Sequence, residues 1–111
     1  MSARVKSTVT EVSLRRYSTQ VFRFDNGCFV AITEGSNKLG SMIASIPSGP
    51  GSISATIIPS KTDSLFLQLT AETISNSIKG ISIVSLYLNK ELDPESAKAI
   101  MNDILELIRD E

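Results

Sequence analysis

A chain of 111 residues supports one domain with one modest core. With 41% hydrophobic and 21% charged residues it has the balance of a folded globular protein, and a net charge of −1 offers nothing to attract polyanions. The single cysteine, Cys28, excludes an internal disulfide, and the absence of histidine removes the commonest general base and with it the usual catalytic triads.

Residues 1–12, polar and rich in Thr, Ser and Val, read either as a loose arm or as an extra edge strand. They lack the apolar core of a secretory signal, and no apolar run approaches the length of a membrane span. The expectation is a soluble protein of the cytoplasm, with the nucleus also open to it. The stretch "YSTQVFRF", 17–24, is β-prone, with Phe22 and Phe24 on one face and Val21 and Arg23 on the other. "DNG" follows, Asn26-Gly27 suits a turn that needs positive φ, and "CFVAITE" resumes at once, which predicts a hairpin of strands at 17–24 and 28–34.

Four of the six glycines fall in "EGSNKLGSMIASIPSGPGS", residues 34–52. A phosphate-binding loop needs its lysine after the second glycine and a helix directly behind it. Here Lys38 precedes Gly40, and β-prone "SMIASI" follows. The stretch therefore reads as two turns around a strand at 41–46, the second turn leading into the alternating "SISATII", 52–58. Residues 63–79 carry Phe66, Leu69/Thr70, Ile74 and Ile78 at helical spacing, with Thr62 or Asp63 to cap the start and Gly80 to close the end. "ISIVSLYLN", 81–89, is almost wholly apolar, as a central strand is. The last segment is a strong amphipathic helix: Asp93 caps it, Pro94 suits its first turn, and Ala97, Ile100/Met101, Ile104, Leu105 and Ile108 form its stripe.

The predicted order is β-β-β-β-α-β-α: an α/β (α+β) domain with one small, mostly antiparallel sheet and two helices against a face. If the other face is also apolar, it needs a partner. Cys28, in a β-prone run, reads as core. The carboxylates fall in turns, caps and wet faces, and no pair has acid/base spacing, so no catalytic, cofactor-binding or metal-binding residue is assigned and an enzyme is not expected. Arg15, Arg16 and Arg23 interleave with Tyr17, Phe22 and Phe24, which raises a nucleic-acid or small-ligand binding module as the alternative. Strand alternation places Arg23 and the phenylalanines on opposite faces and weakens it.

The run of elements resembles the small proteasome assembly chaperones, the fourth type above all, with the third type as its close relative. The resemblance rests on "VFRF", "DNGCFVAITEG", "LGSMIASIPS", "SATII" and, best, "IVSLYLNKELDPESAKAIMNDILELI". It implies one half of a small heterodimer, paired through its sheet with a second chaperone of the third type. That pair binds an α-type subunit of the 20S proteasome, notably the fifth, promotes α-ring assembly and then leaves, with no cofactor and no membrane. On this resemblance Phe22, Phe24 and Phe29, together with Val84, Leu86 and Leu88, are candidates for the dimer interface, and Arg15, Arg16 and Arg23 for contact with the proteasome.

Overall fold

Alternation of small polar and apolar side chains draws the start of the chain into three antiparallel strands, β1 (Arg4–Val12), β2 (Arg15–Phe24) and β3 (Gly27–Glu34). A hairpin β4 (Ser41–Ser48) and β5 (Gly51–Ile58) follows, then α1 (Ser64–Ile78), β6 (Ile81–Tyr87) and α2 (Pro94–Arg109). The computed structural model describes residues 4–109. The strands form one sheet in the order β1-β2-β3-β6-β4-β5, in which only β3 and β6 run parallel. The predicted α+β class and mostly antiparallel sheet are therefore present. The sheet has one strand more than the predicted order, because residues 4–12 are an edge strand rather than an arm.

The turn between β2 and β3 differs from expectation. Phe24 pairs with Gly27, so the two-residue loop is Asp25-Asn26, and neither Asn26 nor Gly27 has positive φ. Glycine is required at 27 for another reason: a Cβ there would lie 2.3 Å from the Ile81 carbonyl oxygen, where β6 enters the sheet alongside β3. Gly27→Ala is thus expected to lower stability by about 1–3 kcal/mol, as overpacking does. Gly51→Ala, with open space around it, stays within about 0.5 kcal/mol of the parent. Urea titration of the two variants checks the contrast.

β4 extends past Pro47 to Ser48. Its pairing with β6 ends at Ser45, so the missing N–H of Pro47 leaves no hydrogen bond unmade on that side. Gly49, at φ +59°, takes the first central position of the tight Gly49-Pro50 turn into β5, as hairpin turns of the II′ kind need.

Both helices lie on one face. α1 covers β4, β5 and β6, while α2 covers β1 and β2. The core between helices and sheet is built from Tyr17, Val21, Cys28, Val30, Ile32, Ile43, Val84 and Leu86 below and Leu67, Ala71, Ile74, Ile100, Ile104 and Ile108 above. Cys28 is buried there as its sequence context predicts. The stripe of α1 is centred on Leu67, Thr70, Ala71 and Ile74, and Leu69, expected within it, is exposed. Its ends also differ. The Asp63 carboxylate accepts the Leu92 N–H (3.2 Å) and makes no cap, and the left-handed residue at the C-terminus is Lys79, not Gly80. Asp93 does cap α2, accepting the Ser96 N–H at 3.0 Å and the Ser96 hydroxyl at 2.7 Å. Those bonds hold its carboxyl below the usual range. Among the described residues no helix is long and apolar enough to cross a membrane.

Candidate functional site: the open face of the sheet

Strand alternation puts every second residue on the face opposite the helices, and pairing aligns them across the sheet. Phe22 of β2 lies between Val5 of β1 and Phe29 of β3, and Phe29 pairs with Ile83 of β6. Ala44 of β4 follows next to Ile83, and Ala55 of β5 next to Ala44. Phe24, Ile46 and Ile53 extend the same surface. The Phe22 and Phe29 rings sit 5.9 Å apart, tilted by 46°, a favourable aromatic pair. Among the described residues no helix lies over this face, and Phe24 is 52% and Ile53 58% exposed.

The size of this surface matters. Six strands about 4.8 Å apart, each about 25 Å long, give a face of about 600–700 Å² before side-chain relief is added. That approaches the roughly 800 Å² that each partner gives to a standard protein interface. The face as a whole is not apolar. Its character is uneven: Ser7, Ser18, Gln20 and Thr33 line a polar depression of about 290 Å³ toward the β1–β2 end, while the phenylalanines and isoleucines fill the rest.

The residues singled out from the sequence divide between two faces. Phe22, Phe24 and Phe29 are on the open face. Val84 and Leu86 are not: they are buried under the helices, at 0% and 4% exposure, and Leu88 packs against the same core. The near-continuous apolarity of β6 hid its alternation, because Ile81 and Ile83, on the open side, look the same in sequence as Val84 and Leu86. Ile83 is the interface candidate that sequence reasoning missed, and its pairing with Phe29 reveals it.

The three arginines also separate. Arg15 is held inside the molecule. Its Nε donates to Glu34 Oε2 (2.9 Å) and its Nη2 to Glu34 Oε1 (2.6 Å), and it donates further to the carbonyls of Lys90 and Glu91 and to Asp93. The guanidinium also lies over the Tyr17 ring, 5.1 Å from its centre. These bonds raise the pKa of Arg15 and, against the effect of burial, lower that of Glu34. Arg15 is thus a structural tie between β2, β3 and the β6–α2 connection, and its charge is spent there rather than offered to a partner. Arg23 is on the helix side of β2 and only partly exposed. Arg16 alone of the three is exposed on the open face, with Glu11 4.0 Å away.

Side-chain bonds also tie β1 to α2. Lys6 reaches the Leu107 carbonyl (3.4 Å), and the Thr10 hydroxyl bonds to Asp103. Lys38, in the glycine-rich stretch, sits 5.6 Å from the centre of the Tyr87 ring, and the loop leads into β4, not a helix. A second depression, of about 300 Å³, opens beside it between Gly40, Asp63, Tyr87 and Lys90.

No family model and no curated protein matches this sequence. Among solved structures, a chain in the crystal structure of a novel chaperone complex for yeast 20S proteasome assembly superposes with a TM-score of 0.75 at 17% identity, over 98% of this chain and 97% of that one. At this identity the likeness establishes the fold alone, and it covers almost the whole of both chains.

Proposed function

We propose that this protein is an assembly chaperone for the 20S proteasome. It forms one half of a small heterodimer, joined through the open sheet face to a second chaperone of the third-type kind. The pair binds an α-type subunit, the fifth, promotes α-ring assembly, and dissociates before the particle matures. The work is done in the cytoplasm, and in the nucleus as well, by binding rather than by catalysis. The observation that carries this reading is the full-length likeness of fold to a chain of a chaperone complex for 20S proteasome assembly. The uncovered apolar face supports the dimer, since burying it stabilises by about 25 cal/mol for each Å² removed from water.

The alternative, a nucleic-acid binding module, draws less support. Of the arginines that suggested it, Arg15 is bound to Glu34, and Arg23 is on the other side of the sheet from Phe22 and Phe24. Tagged protein purified from its own cells distinguishes the two. The expected recovery is free α-type subunits with one further small chain and without mature β-subunits. Recovery of nucleic acid, or of the small chain with no proteasome subunit, defeats the chaperone reading.

A further inference from the structure

The two edges of the sheet are unlike. β1 carries Arg4, Lys6 and Glu11, charges of the kind that keep an edge strand from pairing with another chain. β5, "GSISATII", carries none, and Pro50 and Pro59 bracket it from outside. Its ladder with β4 is regular from Gly51 to Thr56, with one irregularity beyond, where Met42 pairs with Ile58. β4 satisfies one side of the strand, and among the described residues no strand follows on its outer side.

A second feature overhangs this edge. The Ser52 hydroxyl donates to Asn76 Oδ1 (2.8 Å) and the Ser54 hydroxyl to Glu72 Oε2 (2.6 Å). These bonds set one stripe of α1 along β5, because four residues of helix advance about 6 Å and two residues of strand about 6.7 Å. Continued by helical spacing, the stripe Asn76, Glu72 reaches Leu69 and then Leu65, alongside Thr56 and Ile58. Leu69 is 51% and Leu65 67% exposed, so the stripe that borders β5 ends in two uncovered leucines. Glu72 lies between them and Asn76. Its Oε2 takes both the Ser54 hydroxyl and the Gln68 amide (3.2 Å), and no bond occupies Oε1.

We propose that the outer edge of β5 takes an extended strand from a partner protein, bearing a lysine or arginine for Glu72 and apolar side chains for Leu69 and Leu65. Backbone bonds to β5 supply the docking, and the stripe of α1 supplies the selection, as in other cases of strand addition. A second copy of this chain is the wrong occupant. Antiparallel self-pairing has to centre on the regular stretch Gly51–Thr56, and this sets the two Glu72 carboxylates against each other. The proposal goes beyond the chaperone reading and does not depend on it.

The test uses the whole protein and two blocked peptides of alternating valine and threonine, one with a central lysine and the other with glutamate in its place. Amide exchange is followed along the chain. The lysine peptide is expected to slow exchange in β5 and to bind roughly two- to five-fold more tightly than its twin, the range an exposed ion pair gives. Glu72→Gln, which keeps an acceptor for Ser54, erases that preference. Leu65→Ser with Leu69→Ser weakens both peptides about ten-fold through lost apolar contact. Three outcomes overturn the proposal: no protection of β5, protection of β1 in its place, or equal binding of the two peptides. Protection of β5 that rises with protein concentration alone also overturns it, because it means pairing between copies.

Discussion

Arg15→Met is expected to destabilise the protein by about 3–5 kcal/mol, the cost of leaving a buried charge without its partner. For a domain whose whole stability is about 5–15 kcal/mol, that is a large share. The side chains of Arg15 and Glu34 are 12% and 9% exposed, so water does not replace the lost guanidinium. Glu34 keeps only the Asn89 N–H (3.1 Å), and the carbonyls of Lys90 and Glu91 lose their donor. The pH dependence identifies the cause. In the parent, the Arg15 bonds lower the folded pKa of Glu34, so its contribution is complete above the unfolded carboxylate range and is lost as pH falls through the folded value. In the variant that lowering is gone, while burial still raises the pKa and the Asn89 N–H still lowers it, so Glu34 takes its proton at a higher pH than in the parent and the penalty shrinks on acidification. The gap between parent and variant is therefore widest near neutrality and narrows toward pH 4. Urea unfolding at both pH values measures it. A gap that stays constant with pH, or a loss below about 1 kcal/mol at neutrality, shows the pair to be a minor surface contact.

Local structure was legible in the sequence wherever one side chain or one period decides it. Asp93-Pro94 and the stripe through Ile100, Ile104 and Ile108 fix α2, and the positions of glycine and proline around 34–52 mark turns about a strand. Long-range relations were not legible. The pairing of β6 between β3 and β4 joins segments far apart in sequence, and only that pairing explains why position 27 has no room for a side chain. The same limit governed the site. Phe22 and Phe24 could be assigned to a face because a charged residue separates them. In "ISIVSLYLN" apolar side chains point both ways, so the sequence does not separate Val84 and Leu86, under the helices, from Ile83, on the open face. Arg15 shows a related limit: nothing within β2 reveals that its charge is met by Glu34 on the next strand and by carbonyls beyond β6.

The dimer reading makes a sharp demand on two neighbouring positions of opposite facing. Phe22→Asp removes an aromatic from the apolar row of the open face and puts a charge in its place. The folded chain loses the ring pair with Phe29 and some strand preference, together about 1–2 kcal/mol, and remains folded. The association loses far more. A charge at the centre of an apolar interface removes a contact of the kind worth 2 kcal/mol or more, so binding of the second small chain weakens at least about 30-fold. Leu86→Ala acts the other way round. It opens a cavity beneath α1, costs about 2–5 kcal/mol of folding stability, and changes no side chain of the open face. Under conditions where both variants are folded, tagged Phe22→Asp should no longer retain the second small chain, and tagged Leu86→Ala should retain it at the parent level. Had Leu86 belonged to the interface, as its sequence context suggested, the two would fail together. If the Phe22→Asp protein retains the second small chain undiminished, pairing uses some other surface, and the apolar face must be covered by something else.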